Sequence, residues 1–346
     1  MTKIKTKSAF TLTTMSLLGA VILTGVDLSI TQRLYLVGIL IVLGITIAFL
    51  AANIVAKNPQ KSLFEIMDQQ LHKPFNVIAK TIFAFSALAA ASIVLAQITR
   101  FFGGAILIQT PSFIIGLFLV AIAAYLAKSG ALTLAKWAVL AIFGGAITFI
   151  FITIFTLRLI DFENLNFTQT ANFNLSNLNF ILLIAIIIPL ILATTGDHHS
   201  ENKPYKSILL SITVAIGTIF VILLRDVLIL GAIIEDLPFP SHTVARLARH
   251  STSIDISAIV SIIFAAIPIG LIALAIFALD KFAHGFMPQK TNSKLTIPLL
   301  SLIAYLLSQV LLMADFTAVT SIFLLILGGL NLVILTIFAL FAKKPS

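Results

Sequence analysis

The chain has 346 residues, 60% of them hydrophobic and 10% charged, with a formal net charge of +9 and no cysteine. A soluble domain carries about 25% charged residues, so a water-exposed globule is excluded. The missing cysteines exclude disulfides, thiolate metal sites and cysteine nucleophiles.

Apolar runs of roughly 20 residues recur from end to end, and each is long enough to cross a bilayer as a helix. The first follows "MTKIKTKSAF". It is too long for a signal peptide and lacks a small-residue cleavage pattern, so it reads as a retained membrane helix over 8–28. Its "SLLGAVILTGVD" places Gly19 near mid-span, beside Ala20 and flanked by Ser16 and Thr24. A second crossing covers 34–56. "KSLFEIMDQQLHK" (61–73) then sets Leu63, Phe64, Ile66 and Met67 against Glu65, Asp68 and Gln69, the pattern of a short amphipathic helix on the membrane surface. Crossings at 75–102, 112–128 and 133–157 follow. The first of these carries Ser86, Ser92, Gln97 and Thr99, small or polar residues suited to close helix packing.

The sixth crossing, 179–197, contains Pro189 near mid-span and Thr194, Thr195 and Gly196 near its end. Proline removes a backbone donor and frees a carbonyl one turn earlier. The polar stretch "GDHHSENKPYK" closes this helix. A zinc-protease site needs two histidines one turn apart with a glutamate between, whereas His198 and His199 are adjacent and point apart; the stretch reads as the solvated end of a membrane helix. The seventh crossing, 206–232, carries Arg225 and Asp226 side by side. Sequence neighbours point about 100° apart on a helix, so each is expected to find its partner elsewhere, with Asp27 a candidate for Arg225. "PSHTVARLARHS" (240–251) reads as a second short helix, capped by Ser241 and placed to cover an outer vestibule. The last crossings are 254–281, 296–313 and 318–342.

Ten crossings put both termini on one side. The segments on that side hold all 16 lysines, and those opposite hold five of the six arginines, a bias that makes the termini cytoplasmic. The basic charge is therefore a topology signal with some attraction to anionic lipid, not a nucleic-acid footprint. The two short helices fall at the same place in each set of five crossings. Five is odd, so the halves, 8–157 and 179–342, form a 5+5 inverted repeat within a single transmembrane domain spanning 1–346. That is the plan of many secondary transporters, whose solutes bind near the midplane at interrupted helices. Gly19 and Pro189 occupy corresponding crossings. A turn unwound at either would expose amides and carbonyls to a polar solute, although glycine and proline also serve close packing and kinks. The candidate solute site is thus Ser16, Gly19, Ala20, Thr24, Pro189 and Thr194. Nothing in the sequence asks for a metal, a cofactor or an enzymatic reaction: paired intramembrane acids, H-E-x-x-H and a serine–histidine pair at one depth are all missing.

The segment "KNPQKSLFEIMDQQLHKPFNVIAKTIFAFSALAAASIVLAQITRFF" (57–102), the outer helix and following crossing in "PFPSHTVARLARHSTSIDISAIVSIIFAAIPI" (238–269), and "LLGAVILTG" together resemble the spore germination GerAB family. The resemblance follows order and spacing along most of the chain. It implies the amino acid–polyamine–organocation superfamily, a leucine-transporter-type arrangement, and a membrane protein that binds a small solute, an amino acid foremost. Two readings stay open: a germinant receptor subunit that signals to partner subunits, or an ion-coupled amino acid transporter with no part in germination.

Overall fold

A computed structural model describes residues 6–21, 30–58, 61, 63–165, 179–195, 204–248, 257–286, 293–314 and 316–341. The described residues form α-helices joined by short 3-10 turns, without a strand. The first set is α1 (Thr6–Val21), α2 (Ile30–Lys57), the short α3 (Leu63–Gln70), α4 (Lys73–Ala105), α5 (Ser112–Lys128) and α6 (Ala131–Thr156). The second is α7 (Asn179–Thr195), α8 (Pro204–Leu230), the short α9 (Pro240–Ala248), α10 (Ser257–Phe286), α11 (Ser293–Met313) and α12 (Phe316–Phe341). By length and composition, α4, α6, α8, α10, α11 and α12 can each cross a membrane, and α1, α2, α5 and α7 contribute shorter apolar stretches. In hydrocarbon the backbone must satisfy itself, which is why apolar runs of this length become helices.

The faces turned outward are as apolar as the core. Phe118, Tyr125, Phe143, Leu306, Val310 and Leu340 are all exposed. In water this would be an aggregating surface; against lipid tails it is matched. Inside, α10 is the axis, with Leu271 through Ile276 fully buried.

The packing repeats itself. Helices α1, α2, α7 and α8 form one group, and α4, α5, α10 and α11 form another. The fifth crossing of the first half, α6, lies along α1 and α10, while the fifth of the second half, α12, lies along α7 and α4. Exchanging the halves maps each of these contacts onto the other. This is the inverted repeat of the leucine-transporter-type fold.

The two short helices obey the same exchange. On α3, Phe64 packs edge-on against Phe282 of α10, with ring centres 4.7 Å apart, and Lys80 of α4 bonds Asp68 at 2.6 Å. On the opposite side, Phe101 of α4 packs edge-on against Phe239 and against His242 of α9, at 5.1 and 5.3 Å. Ser241 does not cap its own helix. The helix begins at Pro240, so Ser241 is its second residue and stands past the cap position, and its hydroxyl donates to Asp226 of α8.

Candidate functional site

The site is built where α1, α6, α8 and α10 meet. Pro268 interrupts the hydrogen-bond ladder of α10, since it offers no amide to the preceding turn. In the same stretch Trp137 of α6, the only tryptophan of the chain, donates its Nε1 proton to the Ala266 carbonyl at 2.9 Å. Gly19 lets α1 lie against this segment: a Cβ there would stand 3.1 Å from the Ile267 carbonyl and 3.3 Å from Pro268 Cα.

Beside this contact the four helices do not close. They leave a cavity of ≈ 520 Å³, within the range of small-molecule sites. Its wall is almost wholly apolar, with Leu18, Ile142, Gly145 and Ile267 facing it from three helices. The polar exceptions are Thr14, Thr148 and Thr218. The hydroxyls of Thr14 and Thr218 donate to carbonyls of their own helices, Phe10 at 2.9 Å and Val214 at 2.8 Å.

An apolar cluster sits beyond one end of the cavity. Ile152 of α6, Val227 and Leu230 of α8, Val244 and Ala245 of α9, and Val260 of α10 pack together. Beneath that cluster lie the charges. Arg225 and Asp226 are both buried, and they pair with each other at 2.7 Å (Nη2) and 3.1 Å (Nε). This corrects the expectation that each finds its partner elsewhere. The arginine side chain is long enough to curl back along the helix and meet the shorter carboxylate despite the roughly 100° between their Cα–Cβ directions. Asp226 does gain a second partner, Ser241. Asp27 lies outside the described residues. The guanidinium also rests 4.9 Å from the ring centre of Phe149 of α6, and Phe149 is part of the cavity wall.

The residues expected from sequence fall as follows. Ser16 is buried and donates to the Leu12 carbonyl at 2.8 Å. Gly19 and Ala20 lie within α1, which runs as helix to Val21, and Gly19 is filled by α10 as described. Pro189 lies inside α7, which is helical through it to Thr195. Thr194 is fully buried and donates to Leu190 at 2.9 Å and Ile191 at 3.0 Å. Thr24 lies outside the described residues, as does the "GDHHSEN" stretch. None of the five described candidates faces the cavity; their neighbours Thr14 and Leu18 do. Among the described residues no group of histidines and acids could hold a metal. Pro268 and Trp137 escaped the sequence reading, although a lone tryptophan and a mid-helix proline followed by Gly270 were visible signals.

This arrangement, ten crossings in an inverted repeat with a cavity at the side of the bundle between α1, α6, α8 and α10, defines a polytopic membrane protein of the permease type. Solved structures agree on the fold. The chain is similar to Mhp1, a nucleobase-cation-symport-1 family transporter, in a closed conformation with bromovinylhydantoin bound. The TM-score is 0.65 at 12% identity, covering 98% of this chain and 78% of that one. It is also similar to the inward-facing conformation of Mhp1, with a TM-score of 0.57 at 10% identity, covering 95% and 77%. No curated protein sequence matches. The family model of the spore germination proteins matches residues 3–233, well over half of the chain. The protein belongs to that family.

Proposed function

We propose that the protein binds a small solute, an amino acid, inside the membrane, as the B-type subunit of a germinant receptor or as a closely related permease. The observation that carries this reading is the cavity between α1, α6, α8 and α10, in a chain of the spore germination family. An apolar cavity of this size suits an aliphatic or aromatic side chain. In this reading Leu18 and Ile267, on either side of the Gly19 contact, form the back wall of the site, the termini are cytoplasmic, and α9 covers the outer end. Partner subunits would receive the signal through the surfaces of the bundle. No nucleic acid or cofactor takes part.

The likeness to a cation symporter favours a second reading, in which the chain moves the solute together with an ion. Two measurements separate the readings. The purified full chain is screened by thermal shift against amino acids, sugars and nucleosides, and then reconstituted for liposome uptake. Stabilisation by amino acids without flux supports the receptor subunit, and flux driven by an ion gradient supports the symporter. Stabilisation by sugars or nucleosides alone overturns the amino acid reading. The orientation is checked by a single cysteine at Asn202, since the chain has none of its own; labelling from outside intact cells overturns cytoplasmic termini.

A further inference from the structure

Arg225 carries an unexplained group. Its side chain is buried, Asp226 occupies only the edge formed by Nε and Nη2, and Nη1 is buried with no hydrogen-bond partner among the described residues. A buried charged donor without a partner is costly, and hydrocarbon supplies no water to satisfy it. Its place in the helix suggests what would. The cavity-facing residues of α8 recur at helical spacing as Gly217, Thr218, Val221 and Ile222, and Arg225 is the next member of that series. Phe149 belongs both to the cavity wall and to the surroundings of the guanidinium.

Thr14 and Thr218 cannot replace Arg225 as donors to an anion, and Thr148 offers a single neutral hydroxyl, a weaker donor than a guanidinium. The hydroxyl protons of Thr14 and Thr218 are committed to their own helices. Their oxygens retain lone pairs that can accept from an ammonium group, but they have no proton left for a carboxylate. A guanidinium, by contrast, presents separate edges to two carboxylates.

We propose that Arg225 is the carboxylate-binding residue of this cavity, that Phe149 is its cover, and that the ligand is an α-amino acid with an apolar side chain. The assignment rests on the reading of the cavity as the solute site. The ligand carboxylate displaces the Phe149 ring and takes the free Nη1 edge, while Asp226 keeps the other edge. The exchange replaces a cation–π contact with a charge-assisted hydrogen bond, the stronger of the two. The side chain of the ligand fills the apolar space below.

The test uses the full chain in nanodiscs and the binding of L-valine, L-leucine and L-phenylalanine. It adds 3-methylbutan-1-amine, which is leucine without the carboxylate, and 4-methylpentanoate, which is leucine without the amine. Gly217→Phe examines the cavity itself, because a Cβ at Gly217 meets nothing within 4 Å and the ring can extend into the space. Arg225→Met combined with Asp226→Leu removes the charges together, which avoids leaving one of them buried alone. Arg225→Lys keeps the ion pair but lacks the second edge, and it decides the matter if the double variant does not fold. The expected result has three parts. Gly217→Phe abolishes binding of all five probes. The double variant loses about 30-fold or more for the amino acids and 4-methylpentanoate, with less than about 3-fold for the amine. Arg225→Lys loses about 10-fold for the same carboxylates. If Gly217→Phe blocks binding while the arginine variants bind carboxylates as the parent does, this assignment falls and the cavity stands. If Gly217→Phe binds normally, or no amino acid binds the parent, both fall.

Discussion

The fifth crossings of the two halves, α6 and α12, hold equivalent places in the fold and are used differently. Each carries a glycine pair, Gly144–Gly145 and Gly328–Gly329, with a polar residue close behind it, Thr148 three positions after the second glycine on α6 and Asn331 three positions after the first on α12. On α12 the glycine is pressed against backbone: a Cβ at Gly328 would stand 2.7 Å from Leu182 Cβ and 2.8 Å from its carbonyl oxygen. Asn331 is fully buried and donates to Ser86 of α4 at 2.7 Å. On α6, Gly145 meets only the end of Ile267 of α10, 3.0 Å from its Cδ1, and both Gly145 and Thr148 face the cavity. One fifth crossing is shut against its neighbour at this level, and the other borders open space. The repeat therefore supplies the architecture, and the departure from symmetry supplies the room for a solute.

The largest test of that contrast is a pair of substitutions. Gly328→Leu drives a side chain into helix backbone that cannot yield, and overpacking costs about 1–3 kcal/mol and occasionally more, with contact to backbone at the costly end. Folded monodisperse protein should largely disappear from size-exclusion profiles. Gly145→Leu meets only a flexible isoleucine tip and open volume, so it should fold at near-parental yield while losing the solute-induced thermal shift. Equal behaviour of the two variants would remove the asymmetry.

The next effect is smaller and compares the cross-helix ties. Trp137→Phe breaks the bond from α6 to the Ala266 carbonyl, and Asn331→Ala breaks the bond from α12 to Ser86. Hydrogen bonds between membrane helices are worth about 0.6 kcal/mol on average and rarely more than about 1.7. Each variant should lower thermal stability by a few degrees. Only Trp137→Phe should also change solute binding, because the Trp137 tie holds the segment that forms the back of the cavity.

The fold was legible in the sequence because a bilayer imposes one demand on every crossing, an apolar stretch of sufficient length, and because the lysines were sorted to one side. The short helices α3 and α9 announced themselves through amphipathic spacing. The details of the site were less legible, for reasons visible at particular residues. A glycine in a membrane helix marks nearby space, but what fills that space depends on the facing helix. At Gly19 it is Ile267 and Pro268, which lie about 250 positions away in sequence. The Arg225–Asp226 pair was hidden by a rule about Cα–Cβ directions that a long side chain can evade. The glycine-plus-polar pattern shared by α6 and α12 was too short to recognise until packing set the two helices in equivalent places.

The smallest effect concerns the two short helices, which also hold equivalent places and should respond to acid at different pH. On α9, burial, and secondarily the charge of Arg246, push His242 below its ordinary value of 6.5. The docked helix therefore favours the neutral imidazole, and the unfolded segment binds protons first. Its contribution is complete above about 6.5 and is lost as pH falls below that value. On α3, partial burial would raise Asp68, but hydrogen bonds from Lys80 and Asn76 and the Lys80 charge outweigh it and hold the carboxyl below 3.8. Its contribution is complete above that value and is lost only as pH falls beneath it. Because half of the Asp68 side chain is exposed to solvent, that contribution is small. Between about pH 7 and 5, then, α9 should loosen while α3 stays docked. A single cysteine at Thr243 should label faster at about pH 5 than at about pH 7 after correction for thiolate fraction, and one at Gln69 should not. His242→Phe should abolish the acid response at Thr243, because its ring can pack on Phe101 without a proton to gain. A response that survives this substitution would mean that some other group loosens α9, and the two short helices would then differ in more than the buried imidazole.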